Sequence, residues 1–336
     1  MVGWVFSGLG QQGLRMSSIT EARDMERVET SPVLDGLARP LRLAVGIATV
    51  GRPEVVANTV RMLAGQTRRP DAIVVCSPSE ADVAGLAEAG PDVRLVQGPR
   101  GLTHQRNAIL REVADFDVVV FFDDDFIPCA GYLEVVEQVF ASLPDVVMTT
   151  GRMVADGIGG PGLDMAAAIA LLDSDEARQS DWRAVKDVYN GYGCNMAVRL
   201  APVRAHGLLF DEALPLYAWL EDIDFSRRLA HHGRIVKTEA ARGVHLGTKS
   251  GRQSGIRLGY SQIANPYYLV RKGSCSWRKA LHLASRNCLA NLIGLLRPEP
   301  YIDRTGRAVG NARAFADLLT GRLTPARILN FERRLL

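Results

Sequence analysis

Three consecutive aspartates, Asp123-Asp124-Asp125, stand at the end of the apolar run Val118-Val119-Val120-Phe121-Phe122. Carboxylates this close repel one another, and a cation beside them keeps them ionised. Successive side chains of an extended chain point to opposite sides, so Asp123 and Asp125 face together while Asp124 faces away. Two hard carboxylate oxygens converging on one point suit Mg²⁺ or Mn²⁺, ions that keep positions open for phosphate oxygens. The competing reading makes the triplet a cap for the helix that begins near Cys129, or a solvated loop. Its position after a buried strand favours the metal. A second acidic group, Glu221-Asp222 with Asp224, opens a predicted helix. There the positive end of the helix dipole alone would stabilise carboxylates.

These side chains need elements to hold them in place. Leu41–Val50 is an apolar run ended by Gly51-Arg52-Pro53, a strand followed by a turn. Val56, Val60 and Leu63 then recur at helical spacing, with Pro53 in the first turn. Further strands are expected over 72–76, 92–96, 117–122 and 145–150, with helices over Thr103–Asp115 and Ala130–Ala141. Strand and helix alternate with short connections, which predicts a mostly parallel sheet covered on both faces. In such sheets ligands bind beyond the carboxyl ends of the strands, where the aspartates lie. Further along, a helix is expected over Met165–Asp175, a strand over Gly193–Arg199, a helix over Ala218–Gly233 and another strand from Arg234.

Composition narrows the functional classes. A chain of 336 residues with 47% apolar content can bury one large core. A net charge of +3 is too small for a dedicated nucleic-acid binder. Five scattered cysteines without a Cys-x-x-Cys pair read as reduced thiols of a cytoplasmic protein. Leu281–Leu296 is the best candidate membrane segment, but His282, Arg286 and Asn287 interrupt it. Residues 1–40 lack sustained periodicity and are expected to form a mobile extension without a secretory signal. No G-x-G-x-x-G follows the first strand, which disfavours a dinucleotide dehydrogenase.

In this order, the segments from Leu41 to Lys249 resemble the family 2 glycosyltransferases, whose fold is called GT-A. Ala48-Thr49-Val50-Gly51-Arg52-Pro53 is similar to the family's nucleotide-contacting first loop, and Gln105-Arg106-Asn107 to the arginine-asparagine pair before the metal strand. Asp123-Asp124-Asp125 resembles the Asp-x-Asp metal motif. Gly193-Cys194-Asn195-Met196-Ala197 resembles the acceptor-side strand, and Glu221-Asp222 the catalytic acidic helix. The resemblance implies a Rossmann-like α/β fold and transfer of a sugar from a nucleoside-diphosphate donor to a hydroxyl, with inversion. The acceptor it implies is a saccharide or a polyprenyl-linked saccharide in polysaccharide assembly.

On that resemblance, Asp123 and Asp125 hold Mn²⁺ or Mg²⁺, and His245 completes the coordination; an ordinary histidine at a strand end is the competing reading. Asp222 is the general base, with Glu221 positioning it or the acceptor. Ala48, Thr49, Arg52, Arg106, Asp123 and Asp124 contact the nucleotide sugar, and Asn195 and Trp219 the acceptor. Where many relatives carry Val-Asp-Asp-Gly-Ser, this chain has Val75-Cys76-Ser77-Pro78-Ser79. Cys76 therefore stands where an aspartate often reads uracil, and the nucleobase stays open.

The expected organisation is a catalytic domain over 41–250, its donor half 41–150 and its acceptor half 151–250, followed by a helical appendage over 251–336. Lys249-Ser250-Gly251-Arg252 would form a basic loop able to close over the diphosphate. The appendage contains a basic amphipathic helix with Trp277 near its start, suited to the membrane interface or to packing on protein. A peripheral enzyme at the cytoplasmic membrane face is the expectation. Two other readings are a nucleotidyltransferase, which would want a better phosphate loop than Ala48–Glu54, and a non-catalytic nucleotide-sugar-binding relative.

Overall fold

The apolar runs form a sheet that is buried on both sides, as their uninterrupted hydrophobicity requires. The structure, a computed structural model, describes residues 39–86, 93–175, 180–249 and 254–331. β1 (Leu43–Ala48) leads through α1 (Pro53–Ala64) to β2 (Ala72–Ser77), and β3 (Val93–Gln97) leads through α2 (Leu102–Glu112) to β4 (Val118–Asp123). These four strands are parallel in the order β3-β2-β1-β4. Val45, Ile47, Val120 and Phe122 enter the core on one face, while Ala44, Val119 and Phe121 enter the core on the other. α2 packs on the second of these through Ile109 and Leu110.

Beyond β4 the sheet changes character. The chain turns at Asp124-Asp125 into β5 (Phe126–Pro128), followed by α3 (Tyr132–Ser142), β6 (Val146–Asp156), α4 (Met165–Asp175) and β7 (Val185–Asp187). β8 (Asn195–Arg199), α5 (Leu200–His206), α6 (Glu221–Leu229) and β9 (Arg234–His245) complete the sheet region. β8 pairs antiparallel with β4 and continues the order as β4-β8-β6-β9-β5, with β7 on β9. The short β5 runs antiparallel to the end of β9, so that Phe126 lies opposite His245. That register brings the histidine to the turn that carries the aspartates.

The helix expected from Ala218 begins at Glu221 instead, because Ala218 and Leu220 adopt left-handed backbone angles that a helix cannot contain. It ends at Leu229, and a single 3₁₀ turn over Ala230–His232 leads to Gly233. Beyond Gly247 the chain forms α7 (Gly255–Lys272), α8 (Trp277–Leu296) and α9 (Arg304–Leu319). These helices belong to the same compact unit as the sheet. Among the described residues no helix is long and apolar enough to cross a membrane. Residues 1–38 of the expected extension, and Ser250–Arg252 of the expected basic loop, lie outside the described residues.

The β5–β9 contact admits no side chain at Gly243, where an added β-carbon would overlap the Phe126 ring. That ring stacks on Phe122 at 4.9 Å and meets Tyr132 edge-on, so it has nowhere to retreat. Gly243→Ala is expected to destabilise the protein by about 1–3 kcal/mol, read from the urea unfolding midpoint.

Candidate active site

β4 delivers Asp123, and the turn after it sends the next two carboxylates in opposite directions. Asp124 is buried beneath the loop after β1, accepting a hydrogen bond from Thr49 Oγ1 at 2.7 Å and lying 2.7 Å from Arg52 Nη2. Asp125 turns back towards β9, where its Oδ1 lies 3.2 Å from His245 Nε2. Its Oδ2 accepts from the Thr248 amide at 2.7 Å. His245 Nε2 also lies 4.0 Å from Asp123 Oδ2. One ligand atom from each of Asp123, Asp125 and His245 falls within 4.8 Å of the others.

The far ring nitrogen of His245, Nδ1, is 2.9 Å from Asp156 Oδ1 at the end of β6. A carboxylate on one nitrogen orients the ring and makes the other nitrogen a better ligand. Two carboxylates and an imidazole so held fit a divalent ion that accepts oxygen and nitrogen donors. Burial works against charge here, yet the hydrogen bonds to Asp125 and Asp156 carry the His245 pKa up to about 10. Asp125 is held below the usual carboxylate range, His245 overcoming the effect of burial. Asp124 goes the other way: burial pushes it up to about 7 against the pull of Arg52.

Arg106 joins this cluster to the second acidic group. It projects from α2 and is only 2% exposed. One guanidinium nitrogen pairs with Glu221, 115 residues later. The other donates to the Gly193 carbonyl at 2.7 Å and lies 3.3 Å from Asp123 Oδ1. Gly193 in turn donates its amide to Asp222 Oδ2 at 3.2 Å, and Asp222 Oδ1 accepts from the Ile223 amide. Glu221 is therefore occupied by Arg106, while the half-buried Asp222 is held by the Gly193 and Ile223 amides. Burial raises the Asp222 carboxyl above its ordinary value, and burial with the charge of Asp222 does the same to Glu221. Asp224 serves structure: it is fully buried and bonds Arg228, Lys272 and Ser274, tying α6 to the end of α7.

Leu216, Ala218 and Leu220, just before α6, all have positive φ. Such a run of non-glycine residues is costly and survives only where its surroundings hold it. Leu216 is fixed by its carbonyl, which accepts from the Leu102 amide at 2.8 Å. Between this loop, the aspartates and the C-terminal helices lies a cleft of about 710 Å³. It is lined by Arg52, Asp123, Asp125, Tyr217 and His245 together with Arg257, Tyr301 and Arg307. That volume suits a ligand of nucleotide size.

The remaining candidates fall in different places. Ala48 lies beside both Cys76 and Asp123 in the sheet register. Cys76 is fully buried in the core, which pushes its thiol up to about 11, and only its carbonyl bonds towards the site, to Gln105. Asn195 is buried beside β4, bonded to Thr150 Oγ1. Trp219 packs with the apolar cluster around Leu269 and Leu283, its carbonyl receiving Asn265. Asp156, Tyr217, Arg257 and Arg307 were not legible in the sequence, because no local spacing links them to the aspartates.

The chain matches the profile of the glycosyltransferase-like family 2 over residues 40–236. It belongs to that family. This glycosyltransferase also shares its fold with GalNAc-T7, whose structure with UDP, GalNAc and Mn²⁺ superposes at a TM-score of 0.52. Identity there is 14%, covering 86% of this chain and 58% of that one. A mannosyltransferase from Pyrobaculum calidifontis, PcManGT, in complex with GDP-Man and Mn²⁺, superposes at 0.49 with 16% identity over 87% of this chain and 86% of that one. TarS of S. aureus, residues 1–349, does so at 0.45 with 13% identity over 84% and 92%. No curated protein sequence matches the chain. The sheet and its flanking helices are those of the expected GT-A fold.

Removing Arg106 would leave Glu221 buried and unpaired. Arg106→Met is expected to cost about 3–5 kcal/mol in chemical denaturation, and Arg106→Met with Glu221→Leu to regain most of it without regaining transfer activity.

Proposed function

We propose that this glycosyltransferase takes a nucleoside-diphosphate sugar with a divalent cation and transfers the sugar to a hydroxyl with inversion. The observation that carries the reading is the convergence of Asp123, Asp125 and His245 on the cleft, tied through Arg106 to Glu221-Asp222. The imidazole in the ligand set favours Mn²⁺ over Mg²⁺. The bound cation would neutralise charge developing on the departing diphosphate.

Asp222 is the base. Its carboxylate is aimed by the Gly193 and Ile223 amides and takes the proton of the acceptor hydroxyl. The acceptor oxygen forms its bond to the anomeric carbon as the bond to the nucleoside diphosphate breaks on the opposite face, which inverts the centre. Glu221, held by Arg106, positions Asp222. Arg52, lying 2.7 Å from Asp124 and 3.6 Å from Asp125, is the arginine we assign to a phosphate oxygen. In this reading 41–150 forms the donor side and 151–250 the acceptor side, and the acceptor is a saccharide, free or polyprenyl-linked. The latter would place the enzyme at the cytoplasmic face of a membrane. Because the Cys76 side chain is turned into the core, recognition of the base falls to neighbouring backbone and other side chains.

Thermal shift with UDP, GDP, dTDP and CMP, each with Mn²⁺, with Mg²⁺ and with chelator, tests the donor site. One diphosphate should raise the melting temperature only with metal, and Asp125→Ala and His245→Ala should lose the effect; a panel without any shift overturns the reading. Asp222→Asn should keep the shift and lose about 10²–10⁴ in turnover. Because the Asp222 pKa is raised and its base form acts, activity should fall as pH drops through a value above that of an ordinary aspartate. The acidic limb of the kcat/KM profile measures that value.

A further inference from the structure

α8 is turned inside out. Its inward face carries Asn291 and Asn287, with Ala280, Leu283 and Gly294 around them. Asn291 donates to Gln262 of α7 and Asn311 of α9, each at 2.8 Å, and Gln262 donates to Asn287 at 3.2 Å. Asn311 closes the network on the Gly259 carbonyl. α7 and α9 meet through Gly259 and Gly310, where β-carbons would overlap the Arg307 and Ile256 carbonyls. Glycine contacts and amide bonds between helices are how helices associate in an apolar solvent, where leucine has no reason to hide.

Five of the six leucines of α8 face outward, all but Leu283. Leu281, Leu289, Leu292 and Ile293 are 55–62% exposed and Leu296 is 85% exposed. At 100° per residue these five positions fall within an arc of about 120°. The exposed His282 and Ser285 separate Leu281 from the rest. Leu289, Leu292, Ile293 and Leu296 form an apolar patch near the end of the helix, and such a patch on the outside of a folded unit marks a contact surface.

Charge identifies the contact. α8 contains Arg278, Lys279 and Arg286 and no acidic residue. Over 277–331 there are nine lysines and arginines against three acidic residues. Those three are engaged internally: Glu299 with Arg304, Asp303 with the start of α9, and Asp317 with Tyr260 and Arg327. A contact of α8 with the same helix of a second copy would bring together two helices that each carry these three basic residues and no carboxylate. An anionic lipid surface accepts both the leucine patch and the arginines beside it.

We propose that the outer face of α8 lies in the interface of an anionic membrane. This goes beyond the donor chemistry and shares with it only the idea of a lipid-linked acceptor. The test is flotation of the full chain with phosphatidylcholine vesicles, with and without phosphatidylglycerol, at low and high salt. Wild type should float with the anionic vesicles and less so as salt rises. Leu289→Ser/Ile293→Ser/Leu296→Ser should reduce binding by at least about tenfold. Arg278→Glu/Arg286→Glu should abolish the preference for phosphatidylglycerol. Both variants change exposed positions and should keep the wild-type melting temperature and nucleotide-dependent thermal shift. The proposal is overturned if wild type does not float, if the serine variant floats as well as wild type, or if the patch proves to hold a dimer that this variant dissociates and that binds no vesicles. Flotation retained without any nucleotide shift would count against the donor reading alone.

Discussion

A single buried guanidinium holds the two acidic groups of this enzyme in relation to each other. Arg106 comes from the helix that precedes β4, yet it meets Asp123 on one side and Glu221 on the other. Its third partner, the Gly193 carbonyl, belongs to the segment whose amide aims Asp222. A buried cation of this kind is tolerated because anions and a carbonyl surround it, and those anions are tolerated because of it. A lysine could not span these partners, since the geometry needs a planar fork. The two acidic groups beside the cleft are thus coupled through one side chain.

Much of this was legible in the sequence because it rests on short-range rules. The apolar run ending in aspartates marked a buried strand. The sequence also grouped Asp123 with Asp125 apart from Asp124, though it is the turn at Asp124-Asp125, not an extended chain, that separates them. The helix expected over Met165–Asp175 is found with those bounds, and the one expected over Thr103–Asp115 spans Leu102–Glu112. The start of α6 was not legible, because three positive-φ residues before it are imposed by tertiary contacts that no propensity scale records.

Other parts of the site depend on which way a residue faces once the sheet is assembled. Cys76 occupies a position suggestive of base recognition, but its place in β2 turns it into the core. Asp156 could not be singled out because only the β6–β9 register sets it against His245. Arg257 and Arg307 reach the cleft from α7 and α9, and that depends on how three helices stack at the end of the chain.

The pairing of β5 with β9 has a bearing on which length changes this chain can survive. Asp125 and His245 meet because Phe126 lies opposite His245, and a strand presents alternate residues to alternate faces. One residue inserted between Val244 and His245 would turn the imidazole away while Val244 kept its place in the core. Two would restore its direction but move it a full pleat away from Asp125. The loops after β6 and before α6 face no such parity rule. Over the last three residues of β9, the reading frame of the strand itself sets whether the imidazole meets the aspartates.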